Sequence, residues 1–389
     1  MRSKGLSRRE LVAMAGSAAG LLTLPANAAG KSERLKITRI ELFKVVVPMQ
    51  EDINSSPELS GDDLSEFPKT PKFILKLHTD SGIVGVGETG RGVKEELVRQ
   101  NIEFLTGRNI LDLNLTNLEL PNKQVYFYEA FEAALYDALG KAVGWPVYRL
   151  LGGLAQPKVQ VNYWCARKNP VDIRRVAQRA LAGKFKTVKI KGFAGDPIVK
   201  SVEAIAAVAP SLKVILDTEA NFKTVADFLP IGKGLDAVGN MSVIEDPLVK
   251  RNLAAYVELR RQLMTRLALH LGDPKAMIRA IRAEACAVFN TGPSPSMASF
   301  VSNCYLAAAA GMPVWHGSGH ELGILDAAML HSAAASPNCT LPSDILSYQR
   351  VDDLIVKPID IRESYAYVSE RPGLGIELDE DAVHRYHAA

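Results

Sequence analysis

Four cysteines (Cys165, Cys286, Cys304, Cys339) are scattered through 389 residues with no Cys-x-x-Cys spacing. That excludes a zinc knuckle and a dithiol redox motif and leaves buried free thiols as the expectation. No run of 18 or more apolar residues occurs, so no segment reads as a membrane span. No glycine-rich phosphate loop follows an early strand, which argues against a doubly wound nucleotide-binding sheet. A surplus of charge is also missing. Residues 1–28 hold four of the 46 basic and one of the 43 acidic side chains, which leaves 42 of each sign in the remainder. A basic footprint for nucleic acid is therefore absent.

What is present starts with a leader. Ser7-Arg-Arg-Glu-Leu-Val12, the apolar run Leu11 to Leu24 and Ala26-Asn-Ala28 have the order of a twin-arginine export signal with a small-x-small cleavage site. The expectation is a periplasmic protein with no membrane anchor after signal cleavage. Residues 29–155 then alternate as strands at Lys36–Val45, Lys72–His78 and Ile83–Glu88, followed by helical spacing at Lys94–Leu105 and Tyr128–Leu151. The polar loop from Pro48 to Pro71 is long enough to act as a lid over a site.

Beyond Gly153 the pattern becomes rhythmic. Eight short apolar runs, 159–164, 187–191, 213–217, 242–245, 266–270, 286–290, 312–316 and 340–344, are separated by Ala- and Leu-rich helical segments. Eight strand–helix repeats predict an α/β fold of (β/α)8 type, with functional groups at the C-terminal strand ends. Those ends carry Lys189 and Lys191, Glu219 just past the third run, Glu245, His270, Asn290, His316 and Asp344. In Thr187-Val-Lys-Ile-Lys191 the two lysines share one face of the strand. The alternatives are a solvated edge strand or two ammonium groups aimed into a barrel.

Several stretches together resemble the enolase superfamily, in its muconate-lactonizing and mandelate-racemase-like branches. They are Tyr128–Lys141 with Pro146–Gly153, the Lys-x-Lys pair, Glu219-Ala-Asn221, Ile244-Glu-Asp-Pro247, Gly317–Ile324 and Arg371-Pro-Gly-Leu-Gly375. The resemblance implies a modified TIM barrel (156–350) under an N-terminal α+β capping domain (29–155) that the C-terminal segment (351–389) completes. It also implies abstraction of the proton α to a carboxylate, with the resulting enediolate stabilised by a divalent metal, Mg2+ foremost. Lys191 is then the expected base and Lys189 the group that neutralises the substrate carboxylate. A neighbouring ammonium group and a metal ion would draw the Lys191 pKa down.

The same resemblance assigns metal ligands to Glu219 and Glu245 and leaves Asp217 as a supporting carboxylate. The third ligand stays open between His270, Asp273 and neither, and a histidine would shift preference toward Mn2+ or another transition metal. Asn290 stands where the family has a second base, so His316 or His320 is the expected acid or base opposite Lys191. Asn221, Asn290, Glu321, Asp344 and Trp164 are expected substrate contacts, with Arg167 shaping the barrel end. The outcomes are isomerisation, epimerisation or cycloisomerisation of a small carboxylic acid, or dehydration of a hydroxy acid with Lys191 as base and His316 as acid. A catalytically silent carboxylate-binding barrel and a Schiff-base aldolase are the readings from other classes. The family likeness also implies a homo-oligomer.

Overall fold

The computed structural model describes residues 34–60, 64, 69–292 and 296–388. The leader and part of the Pro48–Pro71 loop lie outside them. Among the described residues no helix is long and apolar enough to cross a membrane.

The chain from Leu35 onward begins with an antiparallel sheet of β1 (Ile37–Val45), β2 (Lys72–Thr79) and β3 (Val84–Glu88). The helix Val125–Val143 lies across it. Its seat is made by glycine: a Cβ at Gly85 would stand 2.1 Å from the Ala134 carbonyl oxygen, and one at Gly87 would stand 2.0 Å from that of Ala130. Two glycines on one strand face, set against Ala130 and Ala134, let backbone meet backbone. Gly144, at φ 73°, ends that helix in the left-handed conformation.

Seven parallel strands follow in spatial order: β5 (Tyr163–Arg167), β6 (Thr187–Lys191), β7 (Lys213–Asp217), β8 (Met241–Glu245), β9 (Arg266–His270), β10 (Val288–Asn290) and β11 (Val314–Trp315). Two expectations need correcting. The run 159–164 is broken, because β4 (Lys158–Gln160) leaves the barrel to pair with β13 (Tyr365–Tyr367), which in turn pairs with β12 (Ile361–Arg362). The eighth run, 340–344, is not a strand. Pro342 removes one of its donors, yet the segment still bonds both edges of the sheet. Leu341 N and Asp344 N donate to the carbonyls of Val314 (3.2 Å) and His316 (2.8 Å) on one side. Ser343 N donates to Gln160 O at 2.7 Å, and its own carbonyl accepts from Asn162 N at 3.2 Å, on the other. An irregular eighth stave thereby closes the barrel.

Period-2 alternation organises the interior. Ile215, Val243, Ala268, Val288, Trp315 and Leu341 form a separate apolar floor inside the barrel. Two residues further along four of those strands stand Asp217, Glu245, His270 and Asn290. Polar groups therefore share one level directly above the floor, at the C-terminal strand ends. The C-terminal segment runs back to β1, where Val46 N donates to Tyr386 O (3.0 Å) and Ala388 N to Lys44 O (2.9 Å).

Candidate active site

A cavity of about 520 Å3 opens above this polar level. Lys189, Lys191, Asp217, Glu219, Asp246, His270, Asn290 and Asp344 line its base, Trp164 and His320 its side, and Arg91 and Tyr126 reach it from the first sheet and its helix. Both lysines therefore face inward, which settles the alternative left by the sequence. Lys189 Nζ is 2.8 Å from Asp344 Oδ2, 2.9 Å from Glu245 Oε2 and 3.5 Å from Asp217 Oδ2. Lys191 Nζ is 2.7 Å from Asp217 Oδ2 and also pairs with Glu219. Glu219 and Ala220 both hold left-handed backbone (φ 50° and 59°), which turns the chain so that the Glu219 carboxylate returns to the cavity.

The electrostatics depart from the expected lowering of the Lys191 pKa. Burial disfavours its charge, but the Asp217 and Glu219 carboxylates more than offset that and hold it above the usual lysine range. Burial likewise opposes ionisation of Asp217, and the ammonium groups of Lys191 and Lys189 overcome it and keep the carboxyl below its usual range. Glu245 is pushed up, by burial first and then by the nearby Asp217 charge. His270 is pushed down to about 3 by burial, assisted by Lys250 and Lys189, so its imidazole is neutral at pH 7.

Glu245, Asp246 and His270 offer ligand atoms that all lie within 4.8 Å of one another. Two carboxylate oxygens and a neutral imidazole nitrogen form a donor set that suits a divalent ion. The charges point the same way. Two lysines face four carboxylates (Asp217, Glu219, Glu245, Asp344) in one contact network. Even with Glu245 pushed toward its protonated form, carboxylates outnumber ammonium groups there, and a divalent ion would take up the surplus negative charge.

Asp273, Asn221, Glu321, His316 and Arg167 sit off the cavity wall, and Glu245 lies buried beneath it. Asp273 caps the helix Pro274–Arg282, accepting from Lys275 N and Ala276 N at 3.3 and 2.9 Å. Asn221 Oδ1 accepts from Ala194 N at 2.8 Å and braces the loop after β6. The Glu321 carboxylate takes the backbone N–H of Gly319 (2.7 Å) and the Ser318 hydroxyl, and so holds the loop that carries His320. His316 turns away from the barrel interior. Its Nδ1 faces Gly317 O at 2.6 Å, its ring lies 4.3 Å from that of Phe300, and burial pushes its pKa down to about 4. Arg167 is paired with Asp196 at 2.6 Å.

Asp246 and Lys250 were not singled out by the sequence. They form an i,i+4 ion pair of 2.8 Å, and Lys250 Nζ also donates to His270 O at 3.0 Å. The spacing was visible, but the left-handed φ of 46° that turns Asp246 back toward the site was not.

A capped parallel barrel with lysines, carboxylates and histidine at its C-terminal strand ends defines an enzyme built for acid–base work on an anionic substrate. The Enolase C-terminal domain-like model matches residues 172–382, and the Mandelate racemase / muconate lactonizing enzyme, N-terminal domain model matches 67–152. The chain belongs to the enolase superfamily, in its mandelate racemase and muconate-lactonizing branch. It is 27% identical to a chloromuconate cycloisomerase of Cupriavidus pinatubonensis over 81% of this chain and 91% of that one. An N-succinylamino acid racemase of Thermus thermophilus is 28% identical over 82% and 90%. A probable glucarate dehydratase of Streptomyces coelicolor is 27% identical over 91% of each. The solved muconate cycloisomerase of Pseudomonas fluorescens superposes with a TM-score of 0.77 at 22% identity, covering 91% of this chain and 99% of that one, which is a likeness of fold.

Proposed function

We propose that this protein abstracts the proton α to a carboxylate of a small organic acid and returns a proton elsewhere, giving isomerisation, epimerisation or cycloisomerisation. The observation that carries the reading is the convergence of Lys189, Lys191 and His270 on one cavity base, with Glu245 buried directly behind Lys189 and His270. Lys191 is the base. Its ammonium group is held by Asp217 and Glu219, so it must release a proton and loosen that pairing before it can act. Lys189 supplies positive charge beside the substrate carboxylate. A divalent ion, Mg2+ or, with His270 as ligand, Mn2+, held by Glu245, Asp246 and His270 would supply Lewis acidity that stabilises charge developing on the carboxylate oxygens.

His320 lines the same cavity, edge-on to Trp164 at 4.1 Å, with φ 65° and a neutral imidazole whose pKa burial and then Arg91 press well below the usual value. That leaves it neutral but a weak base, so its place on the cavity wall, and not its basicity, supports His320 as the second proton-transfer group. The twin-arginine pattern supports export to the periplasm, and the family likeness supports a homo-oligomer.

The test is incubation with Mg2+ or Mn2+ and a panel of carboxylates in D2O, followed by NMR or mass spectrometry at the α-carbon. Deuterium uptake that disappears with chelator and in Lys191→Ala supports the reading. Absence of uptake across the panel, with metal bound, points instead to a carboxylate-binding barrel without chemistry.

A further inference from the structure

We propose that Lys189 is the resident cation of a preformed carboxylate cradle, and that a divalent ion must draw Glu245 away from it before Lys189 can meet a substrate carboxylate. The inference rests on the divalent site of the proposed function and adds an order to it, metal before substrate.

The cradle is built oxygen by oxygen. Asp344 Oδ1 accepts from Asn162 Nδ2 at 2.5 Å, leaving Oδ2 on Lys189. Glu245 Oε1 accepts from Asn290 Nδ2 at 2.7 Å, leaving Oε2 on Lys189. Asp217 Oδ1 accepts from Glu219 N at 3.0 Å, leaving Oδ2 shared between Lys189 and Lys191. Three amide donors, two from side chains and one from the backbone, thus fix one oxygen of each carboxylate and turn the other toward a single Nζ. The contact to Asp344 is a hydrogen bond; those to Glu245 and Asp217 are close ionic contacts. The Trp315 ring lies 5.7 Å below the ammonium group, and Lys189 is 3% exposed. An ammonium group has three donors, and three carboxylates surround this one.

Glu245 alone belongs both to this cradle and to the Glu245–Asp246–His270 group. One carboxylate contested by two cations makes their occupancies negatively linked. Lys191 carries the same charge nearby but touches Asp217 and Glu219 and makes no ion pair with Glu245. It is the control for simple repulsion.

The experiment titrates Mn2+ alone into wild type, Lys189→Met and Lys191→Met, with free Mn2+ read by electron paramagnetic resonance. Displacement predicts that Lys189→Met binds Mn2+ at least about tenfold more tightly than wild type, the scale of removing one close competing charge, and that Lys191→Met gains clearly less. Equal gains in the two variants, or no gain in Lys189→Met, overturn the proposal. A second reading uses wild type only and so survives a variant that fails to fold. Isotopic reductive methylation with peptide mass spectrometry should show Lys189 labelling rise severalfold on adding Mn2+, against buried Lys72, which is paired with Glu88 at 2.6 Å, as the internal standard. Unchanged Lys189 labelling in Mn2+-bound protein overturns the proposal as well. Deuterium exchange in wild type is a separate measurement: its failure with the Mn2+ results intact removes the proposed reaction and leaves the displacement standing.

Discussion

Two carboxylate–histidine clusters lie within this structure, and they are opposites. At the barrel mouth, Asp217, Glu245 and Asp344 surround Lys189, and His270 stands beside Glu245 with its Nδ1 3.5 Å from Oε1. Behind the barrel wall, Glu129 and Glu132 of the helix Val125–Val143 share a small space of about 20 Å3 with His316. Glu129 Oε2 and Glu132 Oε1 have no hydrogen-bond partner there, and burial raises both carboxyls, Glu132 to about 8. Both clusters are buried, apart from the half-buried His270. What separates them is the cation: lysines hold Asp217 ionised in the first, whereas among the described residues no cation forms an ion pair with Glu129 or Glu132, whose carboxyls keep their protons. Burial of an acid is therefore a poor guide to its role unless its partner is named.

The sharpest way to break the comparison is to remove a lysine from the first cluster. Lys191→Ala should lower metal-dependent α-proton exchange by about 10²–10⁴-fold, the usual contribution of a positioned base, measured as initial deuterium uptake. His316→Gln should leave the exchange rate within a few-fold of wild type, because its ring faces Phe300 and the small space beside Glu129 and Glu132. A drop as large as that of Lys191→Ala would place His316 in the chemistry.

Next in size is a buried pair that serves structure alone. Lys72 and Glu88 meet at 2.6 Å with side chains 3% and 0% exposed, and Glu88 also accepts from Leu322 N and Leu325 N at the start of the helix Gly323–Ala334. Lys72→Met strands that carboxylate and should cost about 3–5 kcal/mol in urea unfolding. A loss below about 1 kcal/mol, within the range of an exposed ion pair, would mean that Glu88 recovers a partner.

The second cluster predicts a pH dependence of definite sign. Glu132 has its folded pKa raised from 4.5 to about 8, so the native state holds a proton that the unfolded chain releases. Its stabilising contribution is complete below pH 4.5 and is lost as pH rises toward 8, by about 1.4 kcal/mol per unit at most. Glu132→Gln keeps an acceptor for Met297 N, which donates to Glu132 Oε2 at 2.7 Å, and removes the titration. Wild type should therefore lose stability relative to the variant between pH 5 and 8, with the difference constant above that. Parallel curves over this window would show that Glu132 ionises normally.

Much of this was legible in the sequence, and the failures have causes. The runs ending at Lys191, Asp217 and His270 end there in the structure because period-2 alternation and a terminal polar residue leave little freedom. His316 was misdirected by parity. In Val314-Trp-His316 either Trp315 or His316 could face the interior, and a two-residue strand cannot choose from its own pattern. The pairing of Asn290 with Trp315 chooses, placing Trp315 in the floor and His316 behind the wall. The eighth stave was counted as a strand because its composition fits, whereas its hydrogen bonds are split between two edges around Pro342.

Asp273 gives the smallest prediction and the cleanest contrast with His270, three residues before it. The sequence Gly272-Asp-Pro-Lys-Ala276 carries an N-cap signature, an acid followed by proline at the first helical position, and the structure uses it that way. Both Asp273 oxygens are engaged with backbone N–H groups of its own helix, so it has none turned toward the cavity that His270 lines. Asp273→Ala should therefore cost about 1 kcal/mol of stability, seen in urea unfolding, and leave Mn2+ affinity unchanged. Asp273→Asn should recover most of the loss, since its amide oxygen can cap the same helix. His270→Ala should do the reverse, weakening Mn2+ binding while the helix stays capped. If Asp273→Ala instead lowers Mn2+ affinity as much as His270→Ala does, the cap would have to open when metal binds, and Asp273 would return to the ligand set.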